Sequence, residues 1–318
     1  MREATKGELR AVMIQPDRRT ASLPTVPMKI ALADCSEHHE GVLTERPLWD
    51  ALGAREVDFE RPDWEDEGVD WASFDVVVVR TTWTYHHARE RFLDWAEQVG
   101  GVTALHNSPG VLRWNTEKSY LRDLAAAGVP VAPTEWFEQG ASVDLAAILA
   151  ERGWERGLLK PLVGAVASDT HRIDAGGEGL REAQAFLGGR LEERAMMLQP
   201  YLNRVETEGE VSVMLIAGEP THAVQKLPIA GDYRVQDEHG ATDLSVPLDP
   251  ALVGIARRAL AVAPGDAPPL YARVDFLFSG DGSPVVNELE LVEPMLFFQH
   301  DAGAAEVFAD AILASAQG

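Results

Sequence analysis

The stretch Tyr271–Pro294, YARVDFLFSGDGSPVVNELELVEP, reads as a β-hairpin. Runs rich in Val and Phe flank Ser279-Gly280-Asp281-Gly282-Ser283, which supplies the Gly and Asp that tight hairpin turns need. Period-2 alternation puts Arg273 and Asp275 on one face of the first strand, opposite Val274, Phe276 and Phe278. On the second strand Glu288 and Glu290 share a face, with Leu289 and Leu291 on the other. A turn centred on Asp281-Gly282 sets Asp275 across from Glu288 and Arg273 across from Glu290. Three carboxylates on one small face repel one another unless a cation compensates. Such hard oxygen ligands suit Mg²⁺, which takes one or two carboxylates and completes its shell with phosphate oxygens. Arg273 is placed to hold an anionic group that the metal also touches. The alternative is a solvated acidic face, and Asn287 counts toward it because it interrupts the apolar side.

The rest of the chain is compatible with an enzyme of more than one subdomain. Its 318 residues, 46% hydrophobic and 25% charged, can bury a substantial core. A net charge of −23 argues against nucleic acid and anionic membranes as partners. One cysteine, Cys35, excludes an intrachain disulfide and fits a reducing cytoplasm, and its apolar strand context points to packing. There is no 18-residue apolar run and no signal-peptide core, so a cytoplasmic protein is expected. Arg outnumbers Lys 23 to 5, which makes the few lysines worth locating.

Residues 1–27 have mixed charge, three prolines and no periodicity, and are expected to form a disordered extension. Met28–Asp34 and Asp75–Arg80 read as buried strands of a parallel sheet, with a helix over Thr44–Leu52. Loops after parallel strands bind ligands, so Arg80, Thr82 and Trp83 become substrate candidates, while His86-His87 reads as surface. Asn115–Ala127 reads as a helix N-capped by Asn115 and carrying Lys118. Lys160 ends a strand before the small-residue loop 162–170, which could lay backbone N–H groups and the Ser168 hydroxyl over phosphates. Met196–Leu202 is an apolar strand stopped at Pro200, leaving backbone free for a ligand edge. Glu210–Ile216 and His222–Lys226 pair as a hairpin, followed by a polar loop with Arg234, a helix over Ala251–Val262, and a closing helix over Ala304–Ala314. Strands alternate with helices early and hairpins dominate later, giving an α/β domain followed by α+β subdomains.

The segments WNTEKSYL, LLKPLVGAVASDT, LQPYL, KLPIAGDYRVQ, ARVDF and NELELVEP together resemble the ATP-grasp superfamily, over nearly all of residues 28–318. The likeness is to its glutathione synthetase and ribosomal-protein-modifying branch, and RTTWTY, WNTEKSYL and GDYRVQ look nearest to the D-cycloserine synthetase subgroup. The resemblance implies ATP held between two antiparallel sheets, with an N-terminal α/β substrate domain at 28–113, a central lid at 114–198 and a C-terminal subdomain with the metal site at 199–318. It implies that Lys118 and Lys160 hold phosphates, that Ser168 covers them, and that adenine lies against Gln199, Tyr201 and Leu202. Glu210, with Glu206 as rival, would take the ribose; Asp275, Glu288 and Glu290 would ligate two Mg²⁺ ions. Relatives often carry Asn where this chain has Glu290. Lys226, Arg234 and Arg273 would stabilise the γ-phosphate and an acyl-phosphate.

The implied activity is ADP-forming ligation of a carboxylate to an amine, on an amino acid or short peptide, possible within a single molecule. Phosphoryl transfer needs positioning and positive charge, which this residue set supplies. Arg80, Thr82, Trp83 and Glu293 would line the acceptor region, Arg80 for a carboxylate and Glu293 for an ammonium group. A small-molecule kinase on this fold, or a nucleotide-binding protein without turnover, stays open as an alternative. A homodimer is the default assembly.

Overall fold

The computed structural model describes residues 28–35, 44–164, 169–236 and 239–316; the extension at 1–27 and Ser168 lie outside them. The first sheet contains β1 (Lys29–Asp34), β2 (Asp58–Glu60), β3 (Val76–Thr81) and β4 (Ala104–His106), all parallel in the order β2-β1-β3-β4. β1 and β3 are apolar on both faces because helices cover both. Ile30, Leu32, Val76 and Val78 pack with α1 (Arg46–Ala54) and the last helix, Ala302–Ser315. Ala31, Ala33, Val77 and Val79 pack with α2 (Arg89–Gly100), through Phe92, Leu93 and Ala96. Cys35 is buried in that second layer.

The expected single helix over 115–127 is two short ones. α3 (Pro109–Asn115) is capped by Ser108, whose hydroxyl accepts from Val111 N, and α4 (Tyr120–Ala126) follows after a break. Asn115 is therefore the last residue of α3, not an N-cap, and Lys118 lies in the break with its N–H given to Leu162 O. The next sheet is antiparallel, built from β5 (Glu135–Phe137), β6 (Arg156–Pro161), β7 (His171–Asp174) and β8 (Met196–Pro200) in the order β5-β8-β6-β7. α5 (Leu145–Arg152) and α6 (Gly177–Glu193) cover one face. α6 forms although Gly177, Gly179, Gly188 and Gly189 lower its intrinsic propensity. Ala183, Leu187 and Leu191, four residues apart, bury against Leu159, Ile173, Met196 and Leu198, so tertiary packing decides the outcome.

After the short α7 (Val205–Glu208) comes a second antiparallel sheet. Its strands are β9 (Glu210–Ile216), β10 (Glu219–Leu227), β11 (Thr242–Val246), β12 (Tyr271–Phe278) and β13 (Pro284–Glu290), ordered β11-β10-β9-β12-β13. Ala217-Gly218 joins β9 to β10 with both residues at positive φ, the backbone of a two-residue hairpin turn. One face of this sheet carries Val211, Val213, Leu215, Ala272, Val274, Phe276 and Leu289 against α8 (Pro250–Leu260). The opposite face changes character along its length. Met214, Ile216 and Tyr271 join the core shared with the closing helix, now α9, while Glu210, Ser212, Arg273 and Asp275 sit toward the other end. β13 is an edge strand, and side chains close its open side. Asn115 Nδ2 donates to Leu289 O and its Oδ1 accepts from Leu291 N, both at 2.7 Å. Tyr120 OH accepts from Leu289 N, and Asn107 Nδ2 donates to Leu291 O. Among the described residues no helix is long and apolar enough to cross a membrane.

Candidate active site

The polar end of the last sheet and the uncovered face of the central one enclose a cavity of about 950 Å³. Its walls include Lys118, Lys160, Gln199, Tyr201, Leu202, Glu210, Lys226, Arg234, Arg273, Asp275, Glu288, Glu290 and Glu293. Hairpin pairing brings the charged set together as the alternation requires: Arg273 opposes Glu290 and Asp275 opposes Glu288. The route differs from the simple one. From Phe278↔Pro284 to Phe276↔Val286 the strands pair about a turn centred on Asp281, one residue off. A bulge between Asp275 and Phe276 inserts Asn287 and restores the register for the carboxylates.

Asp275 is 1% exposed and receives Arg273 Nε and Nη2 at 3.0 Å each, with Ser212 Oγ at 2.5 Å. Burial pushes its pKa up, but Arg273 and Lys226 outweigh that and hold it at about 2. Arg273 also donates to Glu290 Oε1 at 2.5 Å and to Met295 O at 3.0 Å. Ligand oxygens of Asp275, Glu288 and Glu290 all lie within 4.8 Å of one another. Burial, with repulsion from Asp275 and Glu288, pushes the Glu290 pKa well above the carboxylate range despite Arg273. The cations present do not fully compensate Glu290, and three hard oxygens at this spacing fit Mg²⁺. Lys118 Nζ lies 3.6 Å from Glu288 and donates to Gly164 O at 2.9 Å. Lys160 Nζ donates to Asn287 Oδ1, and Lys226 Nζ pairs with Glu210 at 2.5 Å and Asp275 at 3.5 Å. Glu293 faces the same cavity, and burial raises its pKa to about 7.

Other expected residues fall elsewhere. Arg80 is 2% exposed and does not line the cavity: Nε and Nη2 bind both oxygens of Glu45 at 2.9 and 2.8 Å, and Nη2 also donates to Pro294 O. Its charge is used inside the protein, which corrects the expectation of a substrate carboxylate there. Thr82 is fully buried and likewise away from the lining, a second correction. Trp83 does line the cavity, with Nε1 donating to Glu293 O at 3.3 Å. Gln199 donates to Thr134 Oγ1, and Tyr201 OH donates to Glu206 at 2.7 Å. Glu206 is also gripped by Arg156 and Arg172 and is not part of the lining, whereas Glu210 is. Arg234 reaches the cavity from its loop, but Asp232 holds its guanidinium through Nε and Nη2. Sequence reasoning missed Asn287, Asn115, Tyr120 and Ser212 as parts of this site. Asn287 left a signal as the polar break in an apolar face, and Asn115 left one that pointed to a helix cap instead.

Comparison with known proteins agrees with this geometry. Residues 30–107 match the family described as the D-cycloserine synthetase DcsG N-terminal domain, and residues 142–263 match the prokaryotic glutathione synthetase ATP-grasp domain. The cycloserine biosynthesis protein DcsG of Streptomyces lavendulae is 36% identical over 279 residues, covering 84% of this chain and 91% of the relative. The crystal structure of D-cycloserine synthetase DcsG superposes with a TM-score of 0.82 at 30% identity, over 91% of this chain and 99% of that one. D-alanine–D-alanine ligase from Bacillus anthracis shares the fold, with a TM-score of 0.68 at 14% identity over 92% of this chain and 97% of that one. The chain belongs to the ATP-grasp ligases of the D-cycloserine synthetase family.

Proposed function

We propose that this ATP-dependent ligase is an ADP-forming carboxylate–amine ligase that works through an acyl-phosphate and closes its substrate on itself. The observation that carries the reading is the meeting of three carboxylates with Lys118, Lys160, Lys226 and Arg273 in one cavity. Asp275, Glu288 and Glu290 would hold two Mg²⁺ ions, which when bound neutralise phosphate oxygens and raise phosphorus electrophilicity. Lys118 and Lys160 hold the inner phosphates, Gln199, Tyr201 and Leu202 form the adenine edge, and Glu210 takes the ribose.

A substrate carboxylate oxygen attacks the γ-phosphorus and ADP leaves. Arg273 and Lys226 keep positive charge where negative charge grows, fixed in place by Asp275, Glu290 and Glu210 before the reaction begins. Arg234 joins them on releasing Asp232. Nitrogen attack on the acyl-phosphate carbonyl then expels phosphate. Trp83 and Glu293 lie at the acceptor end, where Glu293 suits an ammonium group. The relative's printed name, a cycloserine biosynthesis protein, supports ring-forming chemistry of that kind, and the substrate proposed from the family resemblance is an O-ureido serine that closes to a five-membered ring.

The test is ADP release from MgATP across amino acids, dipeptides and O-ureido-D-serine, repeated with hydroxylamine. Substrate-dependent ADP together with a hydroxamate is expected. A phosphorylated product without hydroxamate would replace the ligase step with hydroxyl phosphorylation.

A further inference from the structure

We propose that Asn287 is a positioning residue of the nucleotide site, a neutral spacer that keeps the Lys160 ammonium from collapsing onto Glu210. The inference rests on the reading of Lys160 as a phosphate ligand. The bulge in β13 is what brings Asn287 here. Strict alternation would send position 287 to the apolar face with Leu289, but the inserted residue leaves both Asn287 and Glu288 on the cavity wall. Its amide spans two sheets. Oδ1 accepts from Lys160 Nζ on β6 at 2.9 Å, and Nδ2 donates to Glu210 Oε2 on β9 at 2.6 Å. An ammonium only donates and a carboxylate accepts, so the two partners fix which way the amide points.

Both partners are nearly dry, Lys160 at 8% and Glu210 at 5% exposure. Opposite charges separated by one amide at low dielectric attract strongly. Glu210 already binds Lys226 at 2.5 Å, and Asn287 occupies its second oxygen. Without the amide, Lys160 can swing onto that oxygen, which withdraws its charge from the phosphates.

Calorimetric binding of ATP with Mg²⁺ to Asn287→Leu, Lys160→Met and the double variant tests this. Asn287→Leu is expected to weaken ATP about tenfold or more, the size of one charge-assisted hydrogen bond. In the Lys160→Met background it should add nothing, because the two residues act as a unit. Should the Leu variant not fold, Asn287→Ser, too short to span both partners, must show the same loss and the same non-additivity. Wild-type ATP binding by a folded position-287 variant overturns the proposal, as do losses that multiply, which would mean that Asn287 meets the nucleotide itself. Wild-type binding by Lys160→Met would instead remove the phosphate reading of Lys160, and the proposal with it.

Discussion

Replacing Glu45 by Leu should be among the most damaging single changes in the N-terminal sheet. The side chains of Arg80 and Glu45 are 2% and 3% exposed, and the pair is bidentate. Burial disfavours the Arg80 charge, and the Glu45 carboxylate more than offsets it, so the guanidinium pKa stays above its ordinary value. Removing one partner of a buried pair leaves the other charge uncompensated and costs about 3–5 kcal/mol. At about 2–4 °C per kcal/mol for a chain of this size, the melting temperature should fall by roughly 10 °C. Replacing both, with Arg80→Met and Glu45→Leu together, removes the orphaned charge. What then remains is mainly the lost bond to Pro294 O, about 1–3 kcal/mol for an unsatisfied acceptor. The double variant should therefore melt above the Glu45 single variant. Thermal denaturation followed by circular dichroism, at low and at 1 M salt, measures this, and the order should hold in both because the pair is shielded from solvent ions. A Glu45→Leu loss below about 1 kcal/mol, or a double variant as damaged as the two singles combined, would refute the structural role of the pair. If the double variant kept the wild-type melting temperature but bound amino-acid substrate far more weakly, Arg80 would return to the substrate site.

Three further outcomes are expected. Gly209 sits at φ 66° with its backbone against β10, and an added Cβ would overlap the carbonyl oxygen of Lys226, so Gly209→Ala should unfold the protein or displace Lys226, visible as loss of ATP binding or of soluble yield. Glu288→Gln replaces one of three converging carboxylates with a neutral amide and should raise the Mg²⁺ concentration for half-maximal activity at least tenfold, checked by titrating Mg²⁺ at fixed ATP. Glu293, raised to about 7 in the folded state, binds more protons there than when unfolded. Its contribution is thus complete below the unfolded value of 4.5 and lost as pH rises through 7. Metal-free wild type should lose stability relative to Glu293→Gln between pH 5 and pH 8, and parallel melting curves across that range would contradict the shift.

Much of the site could be read from the chain because its charged core lies on one local hairpin. Alternation in β12 and β13 orders Arg273, Asp275, Glu288 and Glu290 without knowledge of the rest of the fold. The bulge was hidden, since one inserted residue leaves only a misplaced polar letter, Asn287, in the pattern. Arg80 misled for a different reason. Its partner Glu45 is 35 residues away, and nothing local distinguishes an arginine that meets substrate from one that meets a buried carboxylate. Asn115 carried a capping signal, yet its side chain bonds Leu289 and Leu291, more than 170 residues on. α6 went unsignalled because its glycines mask a stripe that only the facing sheet rewards.

The sealing of β13 by side chains bears on how this molecule meets other copies of itself. Open sheet edges recruit strands, whether from partners or from misfolded neighbours, and long apolar edge hairpins are prone to both. Here the peptide groups of Val286, Leu289 and Leu291 that would template such an addition are taken by Pro130, Tyr120, Asn115 and Asn107. Growth of that sheet by strand addition is left to β11 at the far side, five residues long and carrying Asp243. The asparagines that brace this carboxylate-bearing strand thereby also occupy an edge that would otherwise be open to strand addition.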